Sequence, residues 1–231
     1  MTHYQNIDQS TAHPAQAGMH AIAVAESHLY HARGIDRPAE ASPRSVRRVG
    51  IMGATTTGMA IAMQLLEADI PVTVLDLARE SLDRATASVR SNYQEAFLAG
   101  ELTAGQRDRR VALLAGTINL HHLKDCDVIM DALDTGTDMD VREKLLRRLN
   151  ELARPDVVLV TCSPTVDINR LAGLARCPEN VLGFHVAGGA GATQVWEPVP
   201  GKATSARALA TATALARSLG RSPEDLAARH D

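Results

Sequence analysis

The chain has 231 residues, of which 45% are hydrophobic and 22% charged, with a formal net charge of −3 at pH 7. That balance suits an ordinary globular protein with one substantial core. It excludes the strongly basic surface that a nucleic-acid or anionic-membrane partner would require. Aromatic residues make up only 3% of the chain, so alanine, leucine and valine must build the core.

No apolar run approaches the length of a membrane span, so no membrane partner is expected. The N-terminal "AGMHAIAVAESHL" is broken by His and Glu where a secretory signal would be continuous. Cys126, Cys162 and Cys177 stand far apart, without metal-ligand spacing. They read as reduced thiols of a cytoplasmic protein, and no metal is expected.

Residues 1–44 read as an extension, and residues 45–231 as the folded domain. The extension holds five of the nine histidines and the breakers Pro14, Pro38 and Pro43. A helix is expected over residues 15–32, followed by the linker "GIDRPAEASPRS". His28 and His31 share one face of that helix, where a solvated surface is the ordinary reading.

From Val46 onward, strand and helix patterns alternate. "RVGIM" reads as a buried strand that enters a glycine turn, with a helix from Thr57 to Ala68. "VTVLD" (72–76) is a second strand, followed by a long amphipathic helix closed by Gly100. A short helix at 103–110 and a weak strand within 111–118 come next. "DVIMDAL" (127–133) is a strand, "DVREKLLRRLNELA" a helix and "VVLVTC" (157–162) a strand. A short helix at 167–175 leads into the strand "VLGFHVA" (181–187). "TQVWEPV" (193–199) adds another strand, and "TSARALATATALARSLG" a last helix. Such alternation predicts an α/β fold of the Rossmann-like, doubly wound kind, with a mostly parallel sheet and helices on both faces. Ligands in that architecture bind beyond the carboxyl ends of the strands.

The first turn tests that expectation. In the dinucleotide fingerprint G-x-G-x-x-G, the first glycine makes the turn, the second admits the pyrophosphate and the third lets helix and strand pack closely. Gly53 and Gly58 fill the first and third places, Thr55 stands in the second, and Thr57 lies at the helix start. A threonine at the second place is expected to project into the pyrophosphate path. A residual clash of about 3 kcal/mol would weaken binding roughly a hundredfold. Asp76 ends the second strand, 18 residues after Gly58, where an acid accepts from a ribose hydroxyl of NAD. The alternative role for Asp76 is a helix N-cap.

Farther along, His185 and Glu197 are polar groups in apolar strands. A buried carboxylate needs a partner, and an imidazole on a neighbouring strand supplies one. Such a pair can act as a general acid and base. Cys162, at the end of the fifth strand, could serve as a nucleophile activated by His185.

From about residue 46 to 220 the chain resembles the N-terminal, NAD-binding domain of 3-hydroxyacyl-CoA dehydrogenases. The resemblance rests on "VGIMGATTTGMAIA", "VTVLDLARESLDRA", "LAGELTAGQRDRR", "CDVIMDAL", "ENVLGFH" and "WEPVPGKATS", in that order. It implies that His185 and Glu197 are the family's catalytic dyad. The family's Asn-Thr-Ser-Ser segment appears as Cys162-Ser163-Pro164-Thr165, so the serine that holds the substrate's 3-oxygen falls on Pro164. Ser163 or Thr165 would have to replace it. Its His-Phe-Phe-Asn-Pro segment appears as "HVAGG", which puts Gly188 at the asparagine. Losing one donor to a reacting oxygen typically costs about 10²–10³ in rate. The family continues into a helical domain that covers the acyl-CoA, for which a homodimer or the N-terminal extension would have to substitute here.

One reading joins these features: a dehydrogenase-like fold turned to non-redox acid/base chemistry. His185 and Glu197 would then isomerise, dehydrate or cyclise an oxygenated acyl or polyketide-like small molecule, with NAD binding left open. Two alternatives stay open. One is an NAD-dependent 3-hydroxyacyl dehydrogenase, and the other a non-catalytic binding or scaffold protein.

Overall fold

A computed structural model describes residues 41–134, 136–137, 139–187 and 195–219. The expected helix over 15–32, His28, His31 and Gly188 lie outside the described residues.

Seven strands form one sheet: β1 (Val49–Met52), β2 (Val72–Leu75), β3 (Leu114–Thr117), β4 (Val128–Asp131), β5 (Val158–Thr161), β6 (Val181–Ala187) and β7 (Val195–Pro200). Six helices accompany them among the described residues: α1 (Thr56–Glu67), α2 (Arg79–Leu98), α3 (Ala104–Ala112), α4 (Met139–Leu152), α5 (Ile168–Leu174) and α6 (Ala206–Leu219). The strand order is β3-β2-β1-β4-β5-β6-β7. All neighbours are parallel except β6 and β7. This is the expected Rossmann-like sheet, and each expected strand and helix after Val46 has its counterpart.

The local chemistry explains the boundaries. β1, β4 and β5 are buried on both faces, which is why they read as continuous apolar runs and not as alternating ones. Thr103 and Gln106 form a reciprocal capping box at the start of α3. Gly100 takes a φ of +79° where the chain leaves α2, a conformation that favours glycine. Asp167 caps α5 by accepting from the Asn169 and Arg170 N–H groups at 2.8 and 3.4 Å. β7 is the edge of the sheet, and it carries Pro198 and Pro200, residues that an edge strand tolerates.

One face of the sheet packs Met52, Leu75, Ile129 and Leu159 against Leu146 and Leu149 of α4 and Leu171 of α5. At the amino ends of the strands, Arg154 pairs with Asp127 and Asp156 at 3.1 and 2.8 Å. The Arg44 N–H donates to Thr211 Oγ1 at 3.0 Å, which fastens the segment before β1 to α6. No helix among the described residues is long and apolar enough to cross a membrane.

Candidate functional site

The strand order reverses between β1 and β4, because the chain moves outward through β2 and β3 and then returns to the other side of β1. A doubly wound sheet places its ligand crevice at the carboxyl ends of the strands, at such a switch point. The β1–α1 turn and the β4–α4 turn meet there.

Gly53 leaves β1 with a φ of +108°. A Cβ on it would sit 2.8 Å from the Ala132 carbonyl oxygen, and one on Gly58 would sit 2.2 Å from the Gly53 carbonyl oxygen. Both glycines are therefore required by close packing of strand, turn and helix. Thr55 is the N-cap of α1. Its hydroxyl accepts from the Gly58 N–H at 3.0 Å and donates to the Ala132 carbonyl at 2.8 Å. The expectation that this side chain simply projects into the pyrophosphate path is corrected. The hydroxyl is turned back into the protein, because an uncapped helix N–H and a free carbonyl both draw it there. Thr56 and Thr57, at the head of α1, are exposed.

Asp76 follows β2 and reaches across to the same turn. One carboxylate oxygen accepts from the Ala54 N–H at 2.9 Å, and the other from the Ala78 N–H at 2.9 Å. It is not the N-cap of α2, a place taken by Ala78. It braces the glycine turn, and each oxygen keeps a lone pair for a hydroxyl donor. Leu77 and Ile118 beside it are exposed apolar side chains.

On the other side of the crevice lies a charged pair that the sequence reading missed. Asp131 ends β4 and is 5% exposed, while Arg142 on α4 is 3% exposed. The Arg142 guanidinium donates to both Asp131 carboxylate oxygens. It also donates to the Leu133 and Asp134 carbonyls at 3.0 and 2.8 Å. Burial pushes the Asp131 carboxyl up, and the Arg142 charge pulls it back. The available signal was an acid in an otherwise apolar central strand, which needs a buried cation.

The loop after β5 departs from the expectations for it. Burial, and then the Asp131 charge, push the Cys162 thiol up to about 12. The thiol therefore stays protonated at neutral pH, the opposite of what a nucleophile requires. Ser163 is buried, and its hydroxyl hydrogen-bonds Thr165 Oγ1 at 3.1 Å. Pro164 is exposed at the turn between them.

His185 on β6 stands directly opposite Glu197 on β7. Directly opposed residues share one sheet face. Gly183, two residues earlier on that face, lies against Ile168 of α5, so the pair faces the α5 side. Neither side chain is buried as the apolar strands suggested. His185 is exposed and Glu197 half-buried, because β7 is the last strand of the sheet. No hydrogen bond or ion pair joins them among the described residues. Trp196 points to the opposite face, where its ring meets Phe184 edge-on at 5.5 Å and its N–H donates to Gln64 Oε1 at 2.6 Å.

A mostly parallel sheet with a glycine turn after β1 and an acid after β2 defines a Rossmann-like fold. Residues 48–227 match the family described as "3-hydroxyacyl-CoA dehydrogenase, NAD binding domain", and the chain belongs to that family. Among curated relatives, it is 24% identical to the fatty acid oxidation complex subunit alpha of Shewanella amazonensis, over 92% of this chain and 30% of the relative. It is 27% identical to the 3-hydroxyadipyl-CoA dehydrogenase of Escherichia coli, over 78% of this chain and 37% of that one. Among solved structures, 3-hydroxybutyryl-CoA dehydrogenase from Escherichia coli superposes with a TM-score of 0.71 at 26% identity, covering 77% of this chain and 37% of that one. The chain thus spans about a third of the length of these relatives. These comparisons overturn the expectation of non-redox isomerisation, dehydration or cyclisation, since proteins similar to this chain in sequence and fold are named dehydrogenases.

Proposed function

We propose that this chain binds NAD and supplies the dinucleotide-binding half of a 3-hydroxyacyl-CoA dehydrogenase site. Family membership carries the reading, and the local geometry supports it. Four features of the crevice suit the cofactor. The β1–α1 turn is kept tight by Gly53 and Gly58, whose missing side chains let backbone approach backbone. The exposed head of α1 at Thr56 and Thr57 presents N–H groups to a pyrophosphate. Asp76 is braced beside it with acceptor capacity for the ribose hydroxyls, and its charge would repel the extra phosphate of NADP. Leu77 and Ile118 offer apolar surface to the adenine.

In this reading His185 is the general base and Glu197 its orienting partner. Bound NAD would supply the hydride acceptor for C3 of a hydroxyacyl substrate. A ring nitrogen of His185 takes the hydroxyl proton, so the 3-hydroxyl becomes a 3-oxo group and the imidazole becomes a cation. Glu197, opposite on the same face, favours that cation as it forms. The protonated His185 is a donor that this chain offers to the 3-oxygen.

The test is turnover in the reverse direction, followed as loss of NADH absorbance with acetoacetyl-CoA as the probe. The native protein is expected to oxidise NADH, and His185→Ala to lower the rate by about 10²–10⁴. An unchanged rate in that variant would remove His185 from the mechanism.

A further inference from the structure

The buried Asp131–Arg142 pair has no part in the chemistry above, yet every bond it makes ends in the wall of the crevice. One nitrogen of the guanidinium engages the carboxylate at the tip of β4. The other holds the carbonyls of Leu133 and Asp134, and the Leu133 N–H donates back to Asp131 at 3.2 Å. Leu133 and Asp134, just after β4, are thereby pinned by one side chain from α4. The same turn receives Thr55, whose hydroxyl donates to the Ala132 carbonyl, and it lies against Gly53 too closely to admit a Cβ.

Stability alone is a weak reason for such a pair. Replacing a buried ion pair by apolar groups of similar volume is often neutral for folding, because desolvation offsets the attraction. What a fixed, multiply bonded guanidinium provides and a leucine cannot is one backbone geometry. We propose that Asp131 and Arg142 are positioning residues for cofactor binding: they hold the Ala132–Asp134 turn, and through Thr55 the phosphate loop, in the arrangement that receives the dinucleotide. The proposal rests on the reading that this chain binds NAD.

Two variants separate positioning from folding. Asp131→Leu with Arg142→Met removes both charges and leaves no unpaired one. Arg142→Lys keeps the charge beside Asp131 but cannot span to the two carbonyls. A cavity of about 20 Å³ beside the pair has room for one water to take up the slack. Each variant is checked for a cooperative thermal transition, and its NADH affinity is then measured by calorimetry well below that transition. Both folded variants are expected to bind NADH at least tenfold more weakly than the native protein. A folded double variant that binds within twofold of native overturns the proposal.

Hydrogen exchange on the native protein gives a readout that needs no variant. NADH should slow exchange at residues 54–58 and 132–134 together, and protection of 54–58 with 132–134 unchanged overturns the coupling. If the native protein itself does not bind NADH, the reading of function fails first and this inference falls with it. Binding in the native protein with no loss in the folded variants sinks the inference alone.

Discussion

Two regions of the sheet, the turns between β1 and β4 and the β6–β7 edge, are built differently. On the nucleotide side, Gly53, Ala54, Thr55 and Gly58 are tied to Asp76, Ala132 and one another by backbone contacts and hydrogen bonds of 2.8–3.0 Å. On the hairpin side, His185 and Glu197 face each other across the last two strands, one exposed and one half-buried. The first region is over-determined, so a small change there propagates into the fold. The second is lightly held, so its side chains can be altered with little effect on folding. A rigid turn beside lightly held side chains is the division that the proposed function would require.

The largest effect should follow from Gly58→Ala. Its Cβ would lie 2.2 Å from the Gly53 carbonyl oxygen, so helix and turn must separate. Overpacking of backbone against backbone should cost about 3 kcal/mol or more, read as a lowered urea midpoint. By contrast His185→Ala should leave the urea midpoint within about 0.5 kcal/mol of native, as surface substitutions usually do, while lowering turnover. A large loss of stability in that variant would break the contrast between the two regions.

Thr55→Ala sharpens the nucleotide side. It removes an N-cap and a link to Ala132, and should cost about 1 kcal/mol in unfolding free energy. If the variant is as stable as the native protein, the hydroxyl is not holding the turn.

The smallest effect is expected at the far end of the sheet, away from both regions. Hydrogen bonds from Arg154 hold the Asp156 carboxyl below its ordinary value. A lowered folded-state value means that Asp156 contributes stability above the ordinary carboxylate range. That contribution is lost as the pH falls through the lowered value. The pair is well exposed, so the gain is about 0.5 kcal/mol or less. Urea titrations of native protein and Asp156→Asn at pH 7 and pH 3 should differ at pH 7 and converge at pH 3.

The fold was legible because its strands and helices carry different periods. The buried central strands read as apolar runs, and Gly100 and the Thr103–Gln106 box punctuate the helices. Three features of the site were not legible, each for a physical reason. Thr55 shows in sequence as a filled glycine place, whereas its cap depends on a carbonyl 77 residues away. His185 and Glu197 look buried because their strands are apolar, but burial depends on β7 being the edge, and strand order is not written in a pattern. Arg142 stands 11 residues from Asp131 across a turn, a separation no helix or strand period connects. Trp196, adjacent to Glu197 in sequence, faces away from it because neighbouring residues of a strand alternate faces.

The central claim is that this crevice takes NAD despite Thr55, and calorimetric titration of NADH into the native protein tests it most directly. The account predicts one site per chain with a micromolar Kd, weakened when Asp76→Ala removes the acceptor for the ribose. No heat of binding up to millimolar NADH, in protein shown to be folded, would contradict it.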